Sequence, residues 1–182
     1  MRALLIALLL AATGAPSFAQ KFGAGENLAP YVPTPMAIVE SMLEAGHVTA
    51  ADVVYDLGSG DGRIIIEAAQ RFGARAVGVE GQPDLCRLSR QRILALGLED
   101  RVQVIEENVF HVDLSPATVV TMFFLTSSNE RLKPNLEKYL RPGARVVSNQ
   151  FPIRGWRPAE VVHVKRGSMD HSIYVYRIGK TR

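Results

Sequence analysis

The sequence predicts an α/β fold built on a mostly parallel β-sheet. Short apolar runs alternate along the chain with longer segments in which apolar residues recur at helical spacing, a pattern typical of alternating strands and helices. A glycine-rich turn joins the first apolar run to the helical segment after it. The last two apolar runs have no helical segment between them, which indicates antiparallel pairing. Together these features predict a Rossmann-like, seven-stranded, mostly parallel sheet with helices on both faces and an antiparallel C-terminal edge strand.

The first helix is predicted to begin at Thr34 and Pro35. A threonine side chain can accept a hydrogen bond from a free backbone N–H of the first turn. Proline suits the first helical position because its φ is already helical. Apolar residues then recur at helical spacing as far as Gly46, which ends the helix.

The other elements follow from the same patterns. Strands are predicted at residues 53–57, 74–80, 102–105, 119–125, 144–148, 160–164 and 172–178. Helices are predicted at residues 64–72, 83–97 and 128–140. The apolar face of the helix that begins at Pro83 is expected to consist of Leu85, Leu88, Ile93 and Leu96.

The turn after the first strand is the most informative segment of the chain. It contains Gly58, Gly60 and Gly62, which let the backbone turn tightly and approach a ligand closely because glycine has no Cβ atom. The spacing is G-x-G-x-G, and Arg63 stands where the dinucleotide fingerprint has its third glycine. The pattern alone leaves three possibilities open. The turn could bind a dinucleotide, it could bind another ligand that contains a nucleoside, or it could bind nothing.

Acidic residues around this turn favour a cationic ligand. Asp56 and Asp61 flank the turn, and carboxylates would repel a pyrophosphate but suit an ammonium or sulfonium group. The next strand ends about 20 residues further on in Glu80, which is placed to accept hydrogen bonds from a ribose diol. Asn108 follows the third strand at the same edge, where it is expected to contact adenine or else to be a plain turn residue.

Several segments together resemble one family. It is the group of class I S-adenosylmethionine (SAM) methyltransferases that includes the mitochondrial protein-lysine N-methyltransferases acting on the ATP synthase c subunit and the adenine nucleotide translocase. The matching segments are residues 30–35, 52–63, 76–80 and 140–148, together with Phe151. The resemblance implies SAM as the cofactor, and it implies that the residues that bind SAM are Asp56, Gly58, Ser59, Gly60, Gly62, Glu80 and Asn108.

The resemblance also implies three catalytic residues. Residues 30–35 would close over the methionine part of SAM, which makes Tyr31 and Thr34 candidates. The alternative for this segment is a capped helix start with a packed tyrosine. Phe124 is the third candidate, because class I enzymes place substrate-facing residues at the end of the fourth strand. Either Phe123 or Phe124 must lie in the core, since successive strand residues face opposite sides.

Composition argues against several other functions. The chain has 182 residues and a formal net charge of +3, and it lacks basic runs interleaved with aromatic residues, so nucleic-acid binding is not indicated. The four histidines and the single cysteine have no metal-ligand spacing, so no metal site is predicted. The histidines are expected to be surface or structural residues, namely His47, His111, His163 and His171, and Cys86 is expected to be a packed or half-exposed thiol.

Residues 1–19 are predicted to be a secretory signal peptide. A short basic start precedes an apolar run that is too short to span a bilayer comfortably, and residues 17–19 form a small-x-Ala cleavage site. Residues 20–33 are predicted to be an extended lead-in, and residues 34–182 the methyltransferase domain. The protein is therefore expected to be exported or periplasmic. The alternative is a domain that faces the cytosol and is anchored to the membrane by an uncleaved N-terminal segment.

The function expected from these features is SAM-dependent methyl transfer to a lysine ε-amine of a protein. The amine must be neutral to react, and its usual pKa is about 10.4, so the site should desolvate or deprotonate it. A short chain without a large inserted lid fits a protein substrate that reaches an open site. The alternatives are a small-molecule methyltransferase and a non-catalytic exported binding module with the same fold.

Overall fold

The computed structural model describes residues 31–166 and 169–181, with no account of the side chains at positions 166 and 169. The predicted signal peptide and residues 20–30 of the predicted lead-in lie outside the described residues. The helices and strands in chain order are α1 (Met36–Ala45), β1 (Val53–Leu57), α2 (Arg63–Phe72), β2 (Arg75–Glu80), α3 (Pro83–Ala95), β3 (Val102–Glu106), β4 (Val119–Met122), α4 (Thr126–Tyr139), β5 (Arg145–Asn149), β6 (Glu160–Arg166) and β7 (Met169–Arg177).

The strands form one seven-stranded sheet in the order β3-β2-β1-β4-β5-β7-β6. The pairing is parallel from β3 through to β5. β7 is antiparallel to both of its neighbours, β5 and β6. The predicted α/β fold with antiparallel C-terminal strands is confirmed, and the structure adds that β6 lies at the edge while β7 inserts between β5 and β6.

The strand order reverses between β1 and β4, and this reversal positions the functional site. In open parallel sheets a crevice forms outside the carboxyl ends of the strands at such a reversal, because the two connecting segments leave in opposite directions. The glycine-rich turn follows β1 at this edge, and the segment that begins at Phe123 follows β4 beside it.

Both faces of the sheet are covered by helices, as predicted. Val54 and Val119 pack in the layer that includes the buried residues of α1 and α2. Tyr55 and Val120, the next residues along the same strands, pack in the opposite layer with α4. Strands buried on both faces need apolar residues at successive positions, which explains the almost unbroken apolar runs in the sequence. Within the described ranges, no helix is long and apolar enough to cross a membrane.

Two predictions about the ends of elements were wrong. α1 begins at Met36 with Pro35 as its N-cap, and no side chain caps the first turn. Thr34 lies one residue too early to cap, and the carbonyl of Pro35 accepts the hydrogen bond from Ile38 N–H at 2.8 Å. β4 ends at Met122, so Phe123 and Phe124 lie in the connection to α4. Their side chains therefore need not face opposite sides of the sheet.

The predicted apolar face of α3 was only partly right. Cys86, Ser89 and Ile93 are buried in α3, whereas Leu88 and Leu96 are exposed. The glycine-rich turn explains the difference, because a Cβ atom at Gly62 would lie only 2.1 Å from Ser89 Oγ. A helix that packs this closely on a turn needs a small residue at the contact, so the larger leucines face outward.

The close packing beneath the turn gives a stability prediction. A Cβ atom at Gly78 in β2 would lie 2.5 Å from Ser59 Oγ and 2.8 Å from Ile65 Cδ1, both of which are buried. Gly78→Ala should therefore lower the free energy of unfolding by about 1–3 kcal/mol through overpacking. The matched control is Gly81→Ala, whose nearest neighbour would be Glu107 O at 3.9 Å. Urea denaturation that gives the two variants equal stability would contradict this account.

Candidate active site

The glycine-rich turn is fixed to the end of β2 by its own backbone. The N–H groups of Gly58 and Ser59 both donate to the carbonyl oxygen of Val79, at 2.8 and 3.0 Å. The N–H of Gly60 donates to Glu80 Oε2 at 2.9 Å. The turn reaches this geometry with φ of 72° at Gly58 and 56° at Gly60, in the left-handed region where glycine is favoured.

The same glycines let three distant parts of the chain contact the turn. A Cβ atom at Gly58 would lie 2.8 Å from Phe124 Cζ, and one at Gly60 would lie 2.6 Å from Tyr31 Cε2. The third contact, between Gly62 and Ser89 of α3, is closer still. The structure therefore brings the candidate catalytic residues Tyr31 and Phe124 onto the candidate cofactor loop. Phe124 is buried there, whereas Tyr31 is 43% exposed.

Two buried carboxylates lie beside the turn without an ion-pair partner among the described residues. Asp56, in β1, is 3% exposed and accepts a hydrogen bond from Thr121 Oγ1 at 2.7 Å. Burial raises the pKa of Asp56 to about 7, with a further rise from the charges of Glu80 and Asp61. Glu80 accepts from Gln82 N at 2.9 Å through Oε1, in addition to its bond from Gly60. Unpaired negative charge of this kind favours a cationic ligand.

Asp61 differs from the other two acids, which corrects one step of the sequence argument. It forms ion pairs with Arg63 at 2.8 Å and with Arg92 at 2.7 Å. Burial raises the pKa of Asp61, but the hydrogen bonds from Arg63 and the charges of both arginines outweigh burial and hold that pKa below its usual value. Asp61 therefore organises the turn through its arginines and adds no unpaired charge to the site.

Arg63 joins the turn to the segment before α1. Its Nη1 donates to the carbonyl oxygen of Thr34 at 2.7 Å, and its side chain also hydrogen-bonds with Tyr31. The side chain of Thr34 is buried, so this residue contributes its backbone to the arrangement. Arg63 stands where the dinucleotide fingerprint has its third glycine, and its side chain has a structural role at this position. It holds the segment with Tyr31 against the loop.

Ser59 and Asn108 are the remaining candidate cofactor residues, and they lie in different surroundings. The Ser59 side chain is buried and faces Gly78, and its carbonyl oxygen accepts a hydrogen bond from Gly62 N–H at 2.9 Å, so Ser59 shapes the turn itself. Asn108 follows β3 at the same edge as Glu80, and the adjacent Glu107 N–H donates to the carbonyl oxygen of Glu80 at 3.1 Å. Asn108 Oδ1 accepts from Phe110 N at 3.0 Å, which shapes the turn around it.

A further group at this edge was missed by the sequence analysis. His171 Nδ1 lies 3.0 Å from Asn149 Oδ1, and the His171 ring lies 6.4 Å from the ring of Phe123. The histidine was expected to be a surface or structural residue because the four histidines are scattered along the chain without metal-ligand spacing. The partner becomes visible only when β7 is placed next to β5, since their antiparallel pairing puts Ile173 opposite Asn149.

Comparisons with known proteins agree with this arrangement. The family model of the ANTKMT methyltransferase domain matches residues 56–160. A protein-lysine N-methyltransferase of Saccharolobus islandicus (strain REY15A) is 53% identical over 152 residues, which cover 83% of this chain and 94% of that protein. The adenine nucleotide translocase lysine N-methyltransferase of Mus musculus is 37% identical over 134 residues, 73% of this chain and 58% of the mouse protein.

A solved structure also matches over most of the chain. It is a crystal structure of an RNA methyltransferase from Salinibacter ruber in complex with S-adenosyl-L-homocysteine. The two chains are 43% identical with a TM-score of 0.76, and the match covers 81% of this chain and 94% of that one.

The buried Asp56 carboxyl predicts a pH dependence of stability. Its pKa is raised from 3.8 to about 7 in the folded protein, so its contribution to stability is fully present below about pH 4 and is lost as the pH rises through about 7. Asp56→Asn keeps an oxygen for Thr121 but cannot ionise. Relative to this variant, the wild-type free energy of unfolding should fall by a few kcal/mol, on the order of 1.4 kcal/mol per pKa unit, between pH 4 and about 8. Urea denaturation at several pH values measures this difference, and parallel curves for the two proteins would disprove it.

Proposed function

This chain belongs to the ANTKMT methyltransferase domain family, and we propose that it transfers a methyl group from S-adenosylmethionine to the ε-amine of a lysine in a protein. The observation that carries the proposal is the 53% identity to the protein-lysine N-methyltransferase of Saccharolobus islandicus, which extends over 94% of that protein. Identity over nearly the whole relative supports a shared substrate class more strongly than the fold does, because one fold hosts many activities.

The residues at the carboxyl edge fit SAM. When bound, SAM supplies a methyl group on a positively charged sulfur, and it also carries an ammonium group. Asp56 and Glu80 are buried carboxylates that lack an ion-pair partner within the described residues, so a cationic ligand would offset the cost of burying them. Gly58 and Gly60 have no Cβ atoms, so the rings of Phe124 and Tyr31 lie directly against the turn and border the space where the ligand would bind.

Each residue has a proposed role toward the cofactor. Glu80 accepts hydrogen bonds from the ribose hydroxyls, and Asn108 contacts adenine. Asp56 provides negative charge near the turn, while the backbone of the turn lies against the methionine part. The residues of the turn that form this contact are Gly58, Ser59, Gly60 and Gly62.

The catalytic residues act through position and exclusion of water. Phe124 packs on Gly58 and Tyr31 packs on Gly60, so aromatic surface borders the turn from two sides. Aromatic rings tolerate both an amine and the cationic product of its methylation. Thr34 is held by Arg63 beside Tyr31, which keeps this segment in place over the turn. These contacts orient the reacting groups and exclude water, and methyl transfer requires both.

RNA is a second candidate substrate, because the 43% identical protein from Salinibacter ruber is described as an RNA methyltransferase. A formal net charge of +3 provides only modest attraction to a polyanion. Of the three substrate classes, we therefore place protein first, then RNA, then small molecules. A non-catalytic module with the same fold would bind SAM but transfer no methyl group.

One labelling experiment separates these possibilities. Purified protein is mixed with SAM that is labelled on its methyl group. Three portions of this mixture are then incubated with host protein extract, with total RNA and with a small-molecule fraction. Label is expected in the protein extract, and acid hydrolysis should release it as methyllysine. Label that ribonuclease releases, or that stays in the small-molecule fraction, would overturn the lysine assignment. Binding of SAM without any labelled product would indicate the non-catalytic module.

Glu80 gives a direct test of the cofactor site. Removing its charge in Glu80→Gln should weaken charge-assisted hydrogen bonds worth about 1.5–3 kcal/mol, which corresponds to a loss of SAM affinity of roughly 10- to 100-fold. The matched control is Glu106→Gln at the end of β3, whose exposed carboxylate pairs with Arg90. Isothermal titration calorimetry measures both variants, and unchanged affinity in Glu80→Gln would remove Glu80 from the site.

The proposed cellular location follows from the N-terminal sequence. Residues 1–19 would direct export and be removed, and any association with the membrane would depend on an uncleaved N-terminal segment. The intact mass of the protein from its host decides between these outcomes. A mass that includes residues 1–19 would contradict cleavage and favour an anchored domain that faces the cytosol.

A further inference from the structure

A group of aromatic and polar side chains lies beyond β4 and β5 at the carboxyl edge of the sheet. The ring of Phe123 stacks with that of Phe151, with centroids 6.1 Å apart and an angle of 22° between planes. The imidazole of His171 lies 6.4 Å from the same Phe123 ring at 59°. These three rings are partly exposed, whereas Asn149 beside them is completely buried.

This group adjoins the glycine-rich turn through the chain itself. Phe124 packs on Gly58, and Phe123 is its immediate neighbour. Consecutive Cα atoms are about 3.8 Å apart, so the aromatic group begins one residue from a side chain that contacts the candidate cofactor loop. It therefore lies at the same carboxyl edge of the sheet as the turn, beside the segment that packs on it.

The backbone of the group is held in an unusual conformation. Gln150 has φ of 66°, in the left-handed region that a residue with a side chain rarely adopts. Its N–H donates to the carbonyl oxygen of Ser172 at 2.7 Å. The Phe151 carbonyl oxygen accepts from Ser148 Oγ at 2.6 Å and from Asn129 Nδ2 at 3.0 Å. Strain that surrounding hydrogen bonds maintain is a common feature of functional sites, because it fixes groups in one geometry.

Asn149 contacts one ring nitrogen of His171. Its Oδ1 lies 3.0 Å from His171 Nδ1, and because an amide oxygen can only accept, this contact is a hydrogen bond in the tautomer that carries its proton on Nδ1 and has the lone pair on Nε2. The Nδ2 of Asn149 is buried and has no hydrogen-bond partner within the described residues. A water molecule or a polar group of a ligand would satisfy this donor.

We propose that Phe123, Phe151, His171 and Asn149 form the acceptor site, in which His171 Nε2 removes the proton that a lysine ammonium must lose before methylation. This inference rests on the proposed function. The rings border the alkyl chain of the lysine, and Asn149 is a positioning residue that fixes the tautomer of His171. An N–H bond of the ammonium breaks and a new N–H bond forms at Nε2, which leaves the amine its lone pair. The imidazolium then releases the proton to water, since His171 is partly exposed.

The charged groups near His171 are few among the described residues. Asp170 precedes it on β7 and pairs with Lys165 of β6 at 3.7 Å. On β6 the residue paired with His171 is Val164. Asn149 of β5 and Phe123 of the segment after β4 also contact His171, and neither of these side chains titrates. His163 contacts Ser172 Oγ at 3.1 Å, and His163→Gln therefore serves as a matched control on the same strand pair.

The test compares His171→Gln with wild type across pH. Initial rates are measured as labelled methyllysine formed from host protein extract, with saturating SAM, from pH 6.5 to 10. At pH 7 the rate of His171→Gln should fall about 100-fold, the usual size of a general-base contribution. The deficit should shrink toward pH 10 as lysine loses its proton in solution. SAM affinity by calorimetry should not change, and His163→Gln should match wild type.

The outcomes distinguish this inference from the proposed function. Wild-type protein that forms no methyllysine overturns both. Active wild type with an equally active His171→Gln, or with a deficit that is constant across pH, overturns the role of His171 alone. A separate measurement avoids any problem with folding of the variant. The ¹⁵N resonances of wild-type His171 should show a proton on Nδ1 in the neutral ring, and a proton on Nε2 would overturn the proposal.

Discussion

The absence of a Cβ atom at three positions of the glycine-rich turn is the constraint on which the site depends. Gly58, Gly60 and Gly62 let a phenylalanine after β4, a tyrosine before α1 and a serine of α3 meet the same five-residue turn. A side chain at any of these positions would clash with its neighbour and strain the backbone, since each glycine has positive φ. The turn is therefore the point at which these three parts of the chain pack together.

The charges around the turn divide into two sets with different consequences. Asp61 is neutralised by Arg63 and Arg92, and these pairs tie the turn to α3 and to the segment before α1. Asp56 and Glu80 stay unpaired within the described residues, and the raised pKa of Asp56 reflects the cost of that burial. The fold thus holds the turn in place through Asp61 and Glu80, and it keeps unpaired carboxyl groups beside the turn at Asp56 and Glu80. Functional sites often retain such unfavourable burial because a ligand of opposite charge offsets it.

The two halves of the carboxyl edge have different chemical characters. The side formed by β1, β2 and β3 carries the glycine backbone and the carboxylates, which suit a charged nucleoside. The side formed by β4, β5 and β7 carries aromatic rings, a buried amide and an imidazole, which suit an alkyl amine. Phe123 and Phe124 join the halves, because the ring of Phe123 stacks with Phe151 and the ring of Phe124 contacts the turn. In the function proposed above, the covalent chain would thereby hold the methyl donor near its acceptor.

The sequence by itself determined the features that depend on near neighbours. Strand and helix positions, the glycine-rich turn and the acid at the end of β2 all follow from local periodicity and backbone preferences. The tertiary structure alone decided what depends on distant residues. It paired Asp61 with Arg92, turned Ser59 inward against Gly78 and brought His171 to Asn149. It also moved the cap of α1 to Pro35, and it buried Ser89 of α3 where that helix packs on Gly62. Such contacts require the order of strands in the sheet, and a pattern within one segment cannot encode that order.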